Sequence, residues 1–261
     1  MICRDTNIQR ALRSRQRGFL LNPFRFGGGG GGPTDPNYAN VSLLLHFDGT
    51  DGSTTFTDNS PSPKTPTVFG NAQIDTAVSK FGGASGLFDG AGDYLSYTST
   101  DAFVLSSGDF TVEVQYRPNN TTTNQVLMLQ GRPNASTGAE LGWFFQYEGA
   151  EAGKPVRFAF FTGTSVVQLR TVNTISSGVF SHLAATREGT TYRLFIDGVL
   201  EQTLTTASVP NNPSSAVLQI GRYQVSPTLE ANGWMDELRI TKGVARYTAN
   251  FTPPTAAFPD S

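Results

Sequence analysis

From residue 41 onward, apolar and polar side chains alternate with a period of two, and that alternation governs what the chain can become. Phe110, Val112, Val114 and Tyr116 interleave with Thr111, Glu113, Gln115 and Arg117. Only extended backbone sends residues i and i+2 to one side, so this stretch predicts a half-buried strand. Residues 125–130, 141–147, 155–161, 179–186, 217–221 and 234–240 read the same way. Val41 to Phe47 is almost continuously apolar, as a strand covered on both faces would be. Tyr192, Leu194 and Ile196 alternate up to Asp197-Gly198, after which Val199-Leu200 leads away. Asp-Gly between apolar runs predicts a hairpin, because a type I′ turn needs positive φ at both central residues. Many such segments with almost no helical periodicity predict an all-β sandwich of two antiparallel sheets.

Composition agrees. Among 261 residues there are 19 Phe but only 3 Met, and 28 Gly and 15 Pro punctuate the strands. A sandwich of this length is one domain by default. Cys3 is the only cysteine, so no intrachain disulfide can form, which favours synthesis in a reducing compartment. No stretch of 18 apolar residues is present to span a membrane.

The chain divides into three parts: residues 1–26, a basic arm; residues 27–40, a Gly/Pro-rich tether; and residues 41–261, the sandwich. The arm carries six Arg against one Asp, a charge of +5, which leaves −7 on the remainder. With basic character confined to the arm, nucleic acid is not the expected partner of the sandwich. The apolar run Gly18-Phe19-Leu20-Leu21 is too short for a secretory signal. Phe19, Phe24 and Phe26 have no local core to enter. Together with Arg10, Arg13 and Arg17 they suit docking on an acidic protein surface. Nucleic-acid contact would account for the arginines alone, and a disordered tail for the glycines alone. Gly27 to Gly32 is a flexible tether.

Several landmarks then form a familiar order: Leu43-Leu44-Leu45-His46-Phe47-Asp48-Gly49, Phe81-Gly82-Gly83, Asp93-Tyr94-Leu95, Phe195-Ile196-Asp197-Gly198, and Trp234-Met235-Asp236-Glu237-Leu238-Arg239-Ile240. Over roughly residues 41–258 the chain resembles the laminin-G-like, concanavalin-A-like jelly-roll family, in the branch common in bacteriophage and bacterial surface proteins. The resemblance implies a jelly-roll of two curved antiparallel sheets. It also implies carbohydrate or protein ligands, bound in some members through calcium. The arm is similar in character to the peptides by which phage decoration and tail proteins join a virion. The expectation is therefore a non-catalytic virion protein, made in host cytoplasm and joined to other virion proteins through residues 1–26. Its sandwich either meets host-surface glycan or cements neighbouring subunits, a glycan-active hydrolase of the same fold is the remaining alternative, and self-association is left open.

No catalytic constellation is legible. The related glycanases place paired carboxylates on one strand, about 5–5.5 Å apart for retaining chemistry. Here Glu113 shares its face with Gln115, which can be neither acid nor nucleophile, and Asp236 and Glu237 are adjacent and diverge. His46 and His182 sit in apolar strand contexts and read as structural. The residues to weigh for a sugar are Trp143 and Tyr147, which share one strand face that is either platform or core. Tyr223, Arg132 and Arg222 join them as stacking and hydrogen-bonding partners. Trp234, in the closing strand, reads as core. For calcium, Asp48, Asp58, Asn59 and Asp236 offer hard oxygen donors near strand ends, although Asp and Asn also simply make turns.

Overall fold

The computed structural model describes residues 34–98, 101–133, 135, 137–223 and 229–261. Every arm residue named above, from Arg10 to Phe26, and residues 27–33 of the tether lie outside the described residues. No helix among the described residues is long and apolar enough to cross a membrane.

The alternation yields strands throughout. In chain order they begin with β1 (Val41–Leu45), β2 (Thr67–Phe69), β3 (Gln73–Asp75), β4 (Ser85–Asp89) and β5 (Tyr94–Tyr97). The long central strands are β6 (Phe110–Pro118), β7 (Asn124–Gly131), β8 (Leu141–Glu148), β9 (Pro155–Thr162) and β10 (Ser165–Thr174). Then come β11 (Ser181–Glu188), β12 (Thr191–Ile196), β13 (Val199–Thr205) and β14 (Val217–Ile220). The short β15 (Arg222–Tyr223) and β16 (Leu229–Glu230) precede the last strand, β17 (Asn232–Lys242).

Two antiparallel sheets form a jelly-roll sandwich. The first runs β13-β12-β11-β6-β17-β4-β3, with β1 also on β17; the second runs β10-β9-β8-β7-β14-β5-β2. Between them Phe110 packs on Phe158 at 5.7 Å and Tyr192 stacks on Phe160 at 4.8 Å, so aromatic rings lock the layers together. Each such buried ring contributes about 1.5–3 kcal/mol through the water it sheds. The predicted hairpin is present, with Ile196 opposite Val199 and positive φ at both Asp197 (48°) and Gly198 (77°). Gly198 has a second duty: a Cβ there would lie 2.0 Å from the carbonyl oxygen of Phe251.

Four expectations are corrected. First, β6 is buried on both faces, not half-buried: Thr111, Glu113 and Gln115 are as inaccessible as Val112 and Val114. The reason is a strap, residues 244–258, which lies across the outer face of the first sheet. Thr186 Oγ1 donates to the Tyr247 carbonyl, the Phe258 N–H donates to Glu237, and Phe251 packs on His182. Second, residues 34–40 are not tether. The Asp35 N–H donates to the Ser261 carbonyl at 2.8 Å and its carboxylate pairs with Arg239 and Arg246, while Tyr38–Asn40 forms a 3-10 turn. Third, Trp234 is half-buried on the outer face, where it donates to Asp75 and lies under Arg117; Met235 takes the core position. Fourth, β10 is an additional edge strand. Glu201 and Gln202 of β13 accept its Val172, Asn173 and Arg170 N–H groups, so side chains of one sheet's edge satisfy the backbone of the other's.

Candidate functional site

Strand parity decides which side chains can meet a ligand. On β8, Trp143, Phe145 and Tyr147 point inward and are fully buried, with Trp143 Nε1 donating to the Phe103 carbonyl at 3.0 Å. Trp143 and Tyr147 are therefore core residues and not a ligand platform, because the inner side of β8 packs on the first sheet. The opposite parity, Phe144, Gln146 and Glu148, forms the outer face.

That outer face is built in cross-strand rows. Gln168 lies opposite Ala159, Ala159 opposite Phe144, Phe144 opposite Leu129, Leu129 opposite Gln219, and Gln219 opposite Ser96. One step along, Arg170 lies opposite Arg157, and Arg157 opposite Gln146. Phe144 is the hub: Tyr223 stacks parallel to it at 6.4 Å, Phe161 packs at 6.0 Å, and the Arg157 guanidinium sits 4.8 Å over its ring. Val166, Gln168 and Arg170 are exposed on the edge strand beside the buried Ala159. Rings flanked by amides and guanidiniums are the chemistry that grips a sugar, whose C–H faces stack and whose hydroxyls need planar polar partners.

Of the predicted ligand residues, Tyr223 belongs to this face. Arg222 lies next to it, 4.7 Å over Tyr94 and 3.5 Å from Glu230. Arg132 follows β7 and pairs with Glu140 at 2.9 Å, at the end of the sheet. Phe144, Gln146, Glu148, Arg157, Gln168 and Arg170 share this face and were not singled out in the sequence. The signal was present, since Gln146 and Glu148 alternate with Trp143, Phe145 and Tyr147 and so mark the outward parity.

The first sheet's outer face holds a closed ion network. Glu113 accepts from Arg239 Nε at 2.9 Å, from Tyr247 Oη at 2.8 Å, and lies 3.0 Å from His182 Nε2. Arg239 also reaches Asp35 and lies 3.6 Å over Phe258, clamping the strap. Burial opposes ionisation of Glu113, but Arg239, His182 and Arg246 override it and hold the carboxyl down at about 2. Such a group is a fixed anion under the strap, not a proton donor.

The Laminin_G_3 family model, described as the concanavalin A-like lectin/glucanases superfamily, matches residues 89–246. The chain belongs to that superfamily. Among solved structures this concanavalin A-like chain is similar to domain 4 of AbnA, a GH43 extracellular arabinanase from Geobacillus stearothermophilus, in complex with arabinotriose. That match has 20% identity over 78% of this chain and 93% of that domain, with a TM-score of 0.59. It is also similar to the binding domain of Paraclostridial Mosquitocidal Protein 1 (14% identity, 85% of this chain, 50% of that one, TM-score 0.57). The Botulinum Neurotoxin serotype G binding domain gives 12%, 77%, 47% and 0.56 in the same order. The concanavalin A-like chain thus spans about half the length of the toxin binding domains, and at these identities the likeness shows the fold alone. No curated protein matches it.

The resemblance of this concanavalin A-like domain to calcium-binding members is tested by its oxygen donors. β17 pairs β4 through Asn232–Met235 and β1 through 238–241, and a bulge with Glu237 at φ 48° fills the gap. The bulge aims Asp236 at the 80–84 loop, where Oδ2 accepts the Lys80 and Phe81 N–H groups at 2.7 and 3.0 Å. Asp48 sits on the same loop: it accepts the Ala84 N–H, and a Cβ on Gly82 would lie 2.1 Å from its Oδ1. Asp236 Oδ1 is fully buried and has no partner among the described residues. Burial pushes the Asp236 carboxyl up to about 7 against those N–H donors, and Glu237 and Asp48 add to the rise.

Asp48 and Asp236 therefore fit a hard cation, which would supply the positive charge their shared corner lacks. Asp58 does not. Its two oxygens are spent on the N–H groups of Leu44, Ser60 and Lys64 and on the Ser60 hydroxyl, so it brackets a buried turn. Asn59 instead lines, with His46, Asp48 and Asp260, a cavity that Asp236 does not line, its amide 3.5 Å from Asp260. Since no three His, Cys, Asp or Glu side chains converge among the described residues, remaining ligands would be backbone oxygens and water.

Proposed function

We propose that the chain is a non-catalytic saccharide-binding and display module of a bacteriophage virion. The outer face of its second sheet would take host-surface glycan, and residues 1–26 would join it to other virion proteins. The observation that carries the binding reading is the Phe144 row on the outer side of the second sheet, where a buried aromatic hub and the buried Gln146 are bordered by half-buried Arg157 and Tyr223 and by exposed Gln168. The arabinotriose held by the similar arabinanase domain supports it. A non-catalytic role is supported by Glu113, whose lone pairs are committed to Arg239, Tyr247 and His182. The arm's charge of +5, set against −7 elsewhere, supports attachment through an acidic partner surface.

Titration of the full chain with a panel of host-wall and plant oligosaccharides, arabinotriose included, tests the binding half. Binding is expected, with Tyr223→Ala weakening it about fivefold through loss of ring stacking. No heat with any sugar at about millimolar Kd sensitivity would leave the sandwich as cement between subunits. Deleting residues 1–26 is expected to abolish particle incorporation while the circular-dichroism spectrum stays that of a β-sandwich. Retained incorporation removes the anchor.

A further inference from the structure

We infer that the saccharide on this face carries a carboxylate, as a uronate or sialate does; this rests on the saccharide-binding reading above. Across all seven strands of the second sheet only three side chains are charged: Glu148, Arg157 and Arg170. All three lie on the outer side, at one corner. The strands of the first sheet carry seven carboxylates against five Lys and Arg, so the net positive sheet is the one bearing the aromatic row. The sequence of residues 224–228, between β15 and β16, adds no charge.

Arg157 and Arg170 lie directly opposite each other on neighbouring strands, an arrangement of like charges that weakens a sheet unless something compensates. Glu148 compensates by half. Its carboxylate takes Arg157 Nη1 at 3.2 Å and Arg170 Nη2 at 3.0 Å, and is itself almost fully buried. One positive charge is left over. Donors are left over as well: a guanidinium carries five N–H groups, and the Arg170 side chain, 43% exposed, presents those that Glu148 does not take, while Arg157 Nε is buried behind it with no acceptor among the described residues. Burial and the neighbouring Arg170 both disfavour the Arg157 charge, opposed by Glu148 and more weakly by Tyr223.

A neutral sugar stacked against Tyr223 and Phe161 would leave that surplus unmatched. A carboxylate on the ring would instead receive paired N–H donors in the planar geometry a guanidinium offers, and would relieve the facing arginines.

Calorimetry of the full chain with matched pairs tests this: sialyllactose against lactose, and a galacturonate trimer against the corresponding galactose trimer. The acidic member of at least one pair is expected to bind about tenfold more tightly at about 50 mM salt, with the advantage shrinking at about 500 mM. Arg170→Gln should bring the acidic ligand down to the level of the neutral one. Glu148→Gln, which removes the internal competitor, should tighten the acidic ligand further. Should that variant fail to fold, Arg170→Gln at its exposed edge position decides alone. Neutral sugars binding as well as acidic ones would overturn the inference and leave the saccharide reading standing. A preference that survives Arg170→Gln would overturn it too. Binding of neither member of any pair, nor of any other sugar, would remove both.

Discussion

Arg239→Ala is expected to lower the unfolding free energy by about 3–5 kcal/mol and the Tm by about 10 °C or more. The substitution strands Glu113, which is wholly inaccessible to water, and removes one of two cations from Asp35. It also takes away the guanidinium over which Phe258 packs, so the strap should become open to proteases before the sandwich melts. Arg132→Ala is the control: its pair with Glu140 is about half exposed, and its loss should cost less than about 0.5 kcal/mol. Chemical denaturation of both variants checks the contrast. A cost below about 1 kcal/mol for Arg239→Ala would mean that the buried network does not hold the strap.

In chelator, stability should peak at about pH 5 and fall as the pH is raised to about 8. The folded state holds the Asp236 proton up to about 7, far above an ordinary carboxylate, so its contribution is full at low pH and drains away through neutrality. His46 acts in the same sense. Burial lowers its pKa, but Glu237 at 2.8 Å outweighs burial and raises it, so stability from that pair is lost as the imidazole deprotonates. Glu113 acts at the other end: held down at about 2, it stabilises above the normal carboxylate range and is lost on strong acidification. Calcium at about one hundred times its Kd should add about 2.7 kcal/mol at pH 8, raising the Tm by about 5–10 °C. Asp236→Asn should flatten the decline and remove the calcium shift together. A Tm that climbs from pH 5 to pH 8 in chelator, or that ignores calcium, would count against Asp48 and Asp236 as a cation corner.

The fold was legible in the sequence because period-two alternation is a backbone property, readable strand by strand, and Asp197-Gly198 marks its turn by steric necessity. The site was less legible because alternation says that two faces exist, not which one is inside. Trp143 and Tyr147 drew attention as large rings, yet size favours the core. The outward residues were their quieter neighbours Phe144, Gln146 and Glu148. β10 escaped notice because an exposed edge strand, Ser-Val-Val-Gln-Leu-Arg-Thr-Val-Asn-Thr, lacks the apolar density of a buried one, and Arg170 went with it. Glu113 looked half-exposed for a different reason: the strap that covers it arrives from residues 130 positions away, a contact no local pattern announces. Asp236 and Glu237 do diverge as adjacency implies, but the bulge that sends them to separate partners is visible only once β1 and β4 are seen sharing the same side of β17.

Asp35 hydrogen-bonds to Ser261 behind the first sheet, whereas the aromatic row looks out from the second. Two sheets about 10 Å apart separate these surfaces, so the sandwich has a back, where Asp35 and Ser261 meet, and a front, where the aromatic row lies. Contacts made at the front therefore need not disturb the Asp35–Ser261 bond at the back, and several weak contacts of that kind on one carrier would sum to firm adhesion.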